Sequence, residues 1–240
     1  MLRFLETNSN LISQDTFTNK FTNKKVLVMG SGPSVNDVKW ENLDYDCIVT
    51  TTFFYLNDKI RNLKNITHIT LSEIIDFNHP NLIKFLEINP ECTLAFEPKP
   101  GRPFYNTNTW KNFENQYRER IITYNTQVDR KEGAAGRLTF FVMAFNPEIL
   151  YYVGIDGKSS NPSLDPINAF RTELKGDTDG YPQSDFIDSH INMAKVLHEY
   201  SKLNKTQLYN LGEGLPYNCS TSYSKKHFPL SDKIKQIINK

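Results

Sequence analysis

Lys24-Lys25-Val26-Leu27-Val28-Met29-Gly30-Ser31-Gly32-Pro33-Ser34 is the stretch on which the reading of the chain turns. Val26 to Met29 form a continuous apolar run, the pattern of a strand covered on both faces. Gly30 and Gly32 then allow positive φ and close approach of a ligand. Pro33 and Ser34 suit a helix start, with Ser34 as its cap. Amides exposed at such a turn would make an anion site, so the stretch points to binding of a nucleotide or phosphate compound. It matches neither standard fingerprint. The third glycine of Gly-x-Gly-x-x-Gly would fall at Val35, and no Gly-Lys-Ser/Thr follows.

Further along, Asp46–Thr51, Ile66–Thr70, Cys92–Phe96, 121–124, Glu148–Asp156, ending in Gly-Ile-Asp, and Thr206–Leu211 read as strands. Helices are expected at 34–42, Pro80–Leu86, Ala134–Phe145, Ser189–Lys202 and 231–239. In the fourth of these, Ile191, Ala194, Val196 and Leu197 supply the apolar face. Alternation of this kind predicts an α/β fold, a Rossmann-like mostly parallel sheet with helices on both faces. Residues 1–23 read as a loosely packed N-terminal arm, and 24–240 as a single domain. The Pro-rich 97–103 reads as an extended loop, 104–132 as polar and aromatic. The aliphatic-poor 157–184 reads as a functional loop.

The chain has 240 residues, 38% of them hydrophobic, and a net charge of +1. This is a globular composition with no overall bias toward nucleic acid or an anionic surface. Cys47, Cys92 and Cys219 are too few and too far apart for a disulfide framework or a zinc site. Together with the lack of a signal-like N-terminus or an apolar run of roughly 18 residues, this gives a cytoplasmic expectation.

Ligands of parallel sheets bind beyond the carboxyl ends of the strands. Three features fall there: Gly30–Ser34; Gly133-Ala134-Ala135-Gly136-Arg137 at the start of an apolar helix; and Gly154-Ile155-Asp156. A helix N-terminus flanked by small residues suits a phosphate, and the Arg137 guanidinium suits it further. Asp156 suits a ligand hydroxyl or a turn cap. Gly212-Glu213-Gly214 follows the last strand, with Tyr217 and Asn218 near it in sequence. Asp177-Thr178-Asp179 has the spacing of a divalent-metal pair, yet it sits in a polar loop beside Gly176 and Gly180 and reads first as a solvated turn. Asp185, Asp188 and His190 stand where the long loop meets the next helix. Asp188 or Ser189 suits its cap, and Asp185 or His190 suits a general base. His198, eight residues beyond His190, cannot share a metal with it, and His68 lies within a strand of the core.

In this order the strand with Gly-Ser-Gly-Pro-Ser, the Gly-Ala-Ala-Gly helix start and Glu148-Ile149-Leu150-Tyr151-Tyr152-Val153-Gly154-Ile155-Asp156 resemble the bacterial sialyltransferases of glycosyltransferase family 42. Related patterns occur in motility accessory and pterin pyrophosphokinase-like proteins. The likeness runs in patches over about 24–212. It implies a GT-A-like variant of the Rossmann-like fold with a lid, here 157–184, and sugar transfer from a nucleotide donor to a hydroxyl without a metal. By position it assigns the donor site to Gly30, Ser31, Gly32, Pro33 and Ser34, to Thr51 and Thr52 where the family has an asparagine, and to Ala135, Gly136, Arg137 and Asp156. The family's Thr-Ser pair is here Ala134-Ala135, its neighbouring arginine falls at Glu132, and its catalytic histidine falls at Asp185, with His190 further on. These departures imply a donor other than CMP-sialic acid. The expectation is therefore a nucleotide-sugar-dependent transferase with Asp185 or His190 as base, no required cofactor, and a glycan, protein, small-molecule or modified-DNA acceptor. Two alternatives stand beside it. One is a pyrophosphokinase holding magnesium and ATP through Asp156, Asp177 and Asp179, and the other a non-catalytic nucleotide-binding module.

Overall fold

The computed structural model describes residues 3–4, 14–71, 75–96, 106–125, 133–156, 183–212 and 230–239. Its strands are β1 (Arg3–Phe4), β2 (Lys25–Met29), β3 (Cys47–Thr51), β4 (Ile66–Leu71), β5 (Thr93–Phe96), β6 (Ile121–Asn125), β7 (Ile149–Val153) and β8 (Gln207–Asn210). They form one sheet in the order β1-β6-β5-β4-β3-β2-β7-β8. All neighbouring pairs from β6 to β8 are parallel, and only β1 runs antiparallel, against β6. This is the expected α/β architecture.

The helices are α1 (Gln14–Phe21), α2 (Ser34–Asp37), α3 (Pro80–Ile88), α4 (Asn108–Tyr117), α5 (Gly133–Met143), α6 (Gln183–Asn204) and α7 (Asp232–Ile238), with short 3-10 turns at Trp40–Asn42, Phe54–Leu56 and Arg118–Arg120. Alternate strand residues feed two cores, one on each side of the sheet. Leu27, Met29, Tyr151 and Val153 face the side where Trp40, Phe85, Trp110 and Ile234 pack. Val26, Val28, Leu150 and Tyr152 face Phe17, Phe141, Met193 and Leu197.

Three segments differ from the sequence expectation. Within the supposed arm, α1 buries Phe17 and Phe21 completely. Their rings meet Phe141 of α5 and Phe145 just after it at centroid distances of 5.2 and 5.8 Å. Two aromatics four residues apart share a helix face, but two apolar residues in a polar octet make no visible stripe. In the polar and aromatic stretch, α4 buries Trp110, Phe113 and Tyr117 on one face, and the Thr107 hydroxyl caps it by accepting from the Trp110 amide at 3.2 Å. Finally, α6 begins at Gln183, so Asp188 and Ser189 lie inside the helix and neither is its cap. Its buried contacts come from Met193, Ala194 and Leu197, while Val196 faces outward.

The order of the sheet positions the site. From β2 the chain moves outward through β3, β4, β5 and β6, then returns to place β7 on the other side of β2. The β2–β7 boundary is thus the topological switch point, and the crevice beyond its carboxyl ends is where such sheets take ligands.

Candidate functional site at the switch point

The turn after β2 and the end of β7 are bound to each other. The Gly30 amide donates to the Val153 carbonyl and the Gly32 amide to the Gly154 carbonyl, both at 2.8 Å. The Ser34 hydroxyl accepts from the Gly154 amide at 2.7 Å, and the Ser34 amide donates to Asp156 Oδ2 at 2.9 Å. Ser34 is the first residue of α2, preceded by Pro33 with no side-chain cap. Its hydroxyl serves β7, not the helix end, which corrects the capping expectation.

The glycines follow from this closeness. A Cβ on Gly30 would stand on the Gly154 carbonyl oxygen and 2.9 Å from the Ala135 Cβ, and one on Gly32 would stand on the Asp156 carboxylate. Gly154 has φ +73°, and a Cβ there would lie 2.5 Å from the Gly30 oxygen. One on Gly212, past the end of β8, would lie 2.6 Å from Asp156 Oδ1. The expected phosphate-cradling turn is therefore corrected. The amides of Gly30, Gly32 and Ser34 are spent on β7, and Pro33 has none, so the glycines let three turns interlock. What the crevice offers is a flat backbone ledge at 30–34 with the amino end of α5 beside it, Ala135 abutting Gly30. The first amides of α5 lie beside the ledge, and the helix dipole favours negative charge at that end.

Thr51 and Thr52 close the β3 side. Both are buried, and the Thr52 hydroxyl donates to the Thr70 carbonyl at 3.4 Å, turned into the sheet. Gly136 is buried, and Ala135 and Arg137 are half-buried, on the first turns of α5. Asp156 is buried, with Oδ2 on Ser34 and Oδ1 against Gly212 without a donor. Burial pushes its carboxyl up to about 6, against the lowering effect of the Ser34 hydroxyl and amide, while Asp37 raises it further.

The helices that flank the crevice set the height of the other candidates. The C-terminal ends of α5 and α6 are level, because the Asn204 side chain donates to the Met143 carbonyl at 3.3 Å. Both helices run from the carboxyl edge toward the amino edge. At a rise of ~1.5 Å per residue, His190 lies ~21 Å along α6 from that contact and Gly133 ~15 Å along α5. His190 is half-buried, and Asp185 lies more than a turn before it in α6.

The support of the turn was not legible in the sequence. Lys59 reaches back to α2, donating to the Val35 and Val38 carbonyls at 3.3 and 3.5 Å, pairing with Glu41 at 2.8 Å and lying over the Trp40 ring. The Asn57 side chain donates to Asn36 Oδ1 at 3.1 Å. These partners lie 18 to 24 residues apart in sequence, and no local signal couples them.

Other titratable groups are structural. His68 is fully buried, as expected of a core strand, and stacks on Phe141 at 4.8 Å. The Thr93 hydroxyl donates to the Thr67 carbonyl, which assigns the proton of His68 to Nδ1, donating to Thr93 Oγ1 at 2.8 Å. Burial, aided by Lys20, lowers the His68 pKa to about 3. Burial raises the Cys47 and Cys92 thiols to about 11 and about 12, so neither is a nucleophile. A cleft of about 640 Å³, lined in part by Pro90, Glu91, Tyr117 and Arg120, lies at the amino edge, opposite the β2–β7 crevice. In it the Arg120 guanidinium is spent on the carbonyls of Leu86, Asn89 and Cys92.

Among the described residues no cluster of His, Cys, Asp and Glu is placed to hold a metal ion, and no helix is long and apolar enough to cross a membrane. The Asp177–Asp179 pair, the expected lid at 157–184 apart from its last two residues, which begin α6, and Glu132, Glu213, Gly214, Tyr217 and Asn218 lie outside the described residues.

The sheet order and the crevice at its switch point define a Rossmann-like α/β fold. Solved structures place it more closely, in the fold of the Campylobacter sialyltransferases. The monofunctional α-2,3-sialyltransferase Cst-I of Campylobacter jejuni superposes with a TM-score of 0.57 at 18% identity, covering 96% of this chain and 86% of that one. A variant of sialyltransferase CST-II in complex with CMP gives 0.59 at 18% identity, with 88% of each chain covered. CstII of Campylobacter jejuni with the substrate analogue CMP-3FNeuAc gives 0.57 at 18% identity, with 88% of each chain covered. No family model matches the sequence, and no curated protein does.

Proposed function

We propose that the chain is a glycosyltransferase that moves a sugar from a nucleotide-sugar donor to an acceptor hydroxyl. The observation that carries this reading is the meeting of the Gly30–Ser34 ledge with the amino end of α5 at the switch point. The nucleoside rests on the ledge and Gly154. The phosphate lies at the first amides of α5, where the helix dipole stabilises the charge that grows on the leaving nucleotide. His190 takes the proton of the acceptor hydroxyl as its oxygen attacks the anomeric carbon and the bond to the nucleotide phosphate breaks. The fold likeness supports the reading, since its members include a sialyltransferase with a trisaccharide acceptor and CMP. Ala134 and Ala135 bring no hydroxyl to the phosphate, which favours a donor other than CMP-sialic acid, with Arg137 near enough in sequence to serve a second phosphate. The chemistry calls on no metal.

The test compares His190→Ala with Asp185→Ala in single-turnover sugar transfer. Loss of about 10²–10⁴ in rate for the first and little for the second is expected. The opposite ranking would assign the base to Asp185 instead, and equal activity of both with wild type would remove the catalytic reading.

A further inference from the structure

Asp156 is costly where it stands. Its side chain is shut away from water, one oxygen has no hydrogen-bond donor, and Asp37 is the charged group that acts on it among the described residues. The ends of β7 and β8 that pack around it present Gly154, Asn210 and Gly212, none of them titratable. A buried carboxylate that is only half satisfied weakens a fold. One oxygen ties Ser34 to the end of β7, while the other faces Gly212 after β8, where a Cβ would lie 2.6 Å from it.

We propose that Asp156 is a positioning residue for donor binding: its carboxylate locks Ser34, and with it the Gly30–Ser34 ledge, against the ends of β7 and β8, and the fold carries this cost because nucleotide affinity depends on the lock. This rests on the glycosyltransferase reading. Asp156 does not reach the ligand; it acts through Ser34. An ionised carboxylate accepts from both the amide and the hydroxyl of Ser34. An asparagine has one acceptor oxygen and turns an NH2 toward Ser34 or Gly212, so it fits the space and loosens the lock.

Stability and affinity therefore move in opposite directions. Asp156 has a folded pKa above its unfolded 3.8, so its contribution to stability is greatest below 3.8 and declines as pH rises through about 6. Asp156→Asn escapes that decline. It is expected to unfold at a higher temperature than wild type at pH 7.5, with the gap closing by pH 4. The nucleotide sugar that wild type binds is expected to bind this variant about tenfold more weakly, with KM rising more than kcat falls. Gly212→Ala presses on the same oxygen from the other side. It is expected to weaken binding in wild type and to add little in Asp156→Ala. The probes are CMP-, UDP- and GDP-sugars in calorimetry, with urea unfolding of each variant at pH 4 and 7.5. If wild type binds a donor and both Asp156→Asn and Gly212→Ala bind it equally well, this inference fails alone. If wild type binds none, the glycosyltransferase reading fails and takes this inference with it.

Discussion

Gly30→Ala reads the packing of the switch point directly. The new Cβ would overlap the Gly154 carbonyl and lie 2.9 Å from the Ala135 Cβ. Roughly 1 Å of separation is needed to restore ordinary contact. The backbone is the obstacle on one side, so no rotamer change relieves it. Moving β2's turn that far stretches the Gly30–Val153 and Gly32–Gly154 bonds, now 2.8 Å, past hydrogen-bonding range. Each buried donor left unmet costs about 1–3 kcal/mol, so with two of them the variant should lose about 2–6 kcal/mol of stability. A reacting group displaced by about 1 Å loses up to about 10²-fold in efficiency, and donor affinity should fall alongside stability. Urea unfolding at pH 7.5 measures the first and titration calorimetry the second. A variant with the wild-type unfolding midpoint and donor affinity would refute the interlocked-turn account.

Three further outcomes follow from the same geometry. Ser34→Ala removes the acceptor of the buried Gly154 amide, so it should cost about 1–3 kcal/mol and weaken donor binding. For His68 the folded pKa of about 3 lies below the unfolded 6.5. Its contribution is present above 6.5 and lost as pH falls toward 3, by about 2 kcal/mol at pH 5. Over the same range Asp156 gains stability, so the test is the difference between wild type and His68→Leu in urea, which should shift in favour of the variant by about 2 kcal/mol from pH 7 to pH 5. Arg120→Ala strips the carbonyls at the end of α3 of their donor at the amino edge; it should lower the unfolding temperature and leave donor affinity unchanged in calorimetry.

Much of the sheet is legible because its strands are apolar runs bounded by polar or turn residues. Val26–Met29 and Leu150–Val153 are buried on both faces and leave no ambiguity of period. The helices are less legible. Phe17 and Phe21 become a helix face only because Phe141 on α5 and Phe145 just beyond it pack there, and Trp110, Phe113 and Tyr117 are masked by the polar residues between them. At the site, the glycines, Ser34 and Asp156 can be picked out and assigned to one sheet edge. Their mutual bonding cannot be, because Ser34 and Gly154 are partners across 120 residues. A glycine needed beside another backbone looks the same in sequence as one needed beside a ligand. The relative heights of Asp185 and His190 likewise depend on where α6 begins and on Asn204 meeting Met143, neither of which a local pattern carries.

The most direct measurement of the central claim is a mass-spectrometric screen of the wild-type protein against CMP-, UDP- and GDP-sugars, scored for nucleotide release with and without EDTA. The account predicts that at least one donor is turned over, that EDTA leaves the rate intact, and that Gly30→Ala and His190→Ala abolish it. Release from none of the donors, together with magnesium-dependent consumption of ATP, would contradict it.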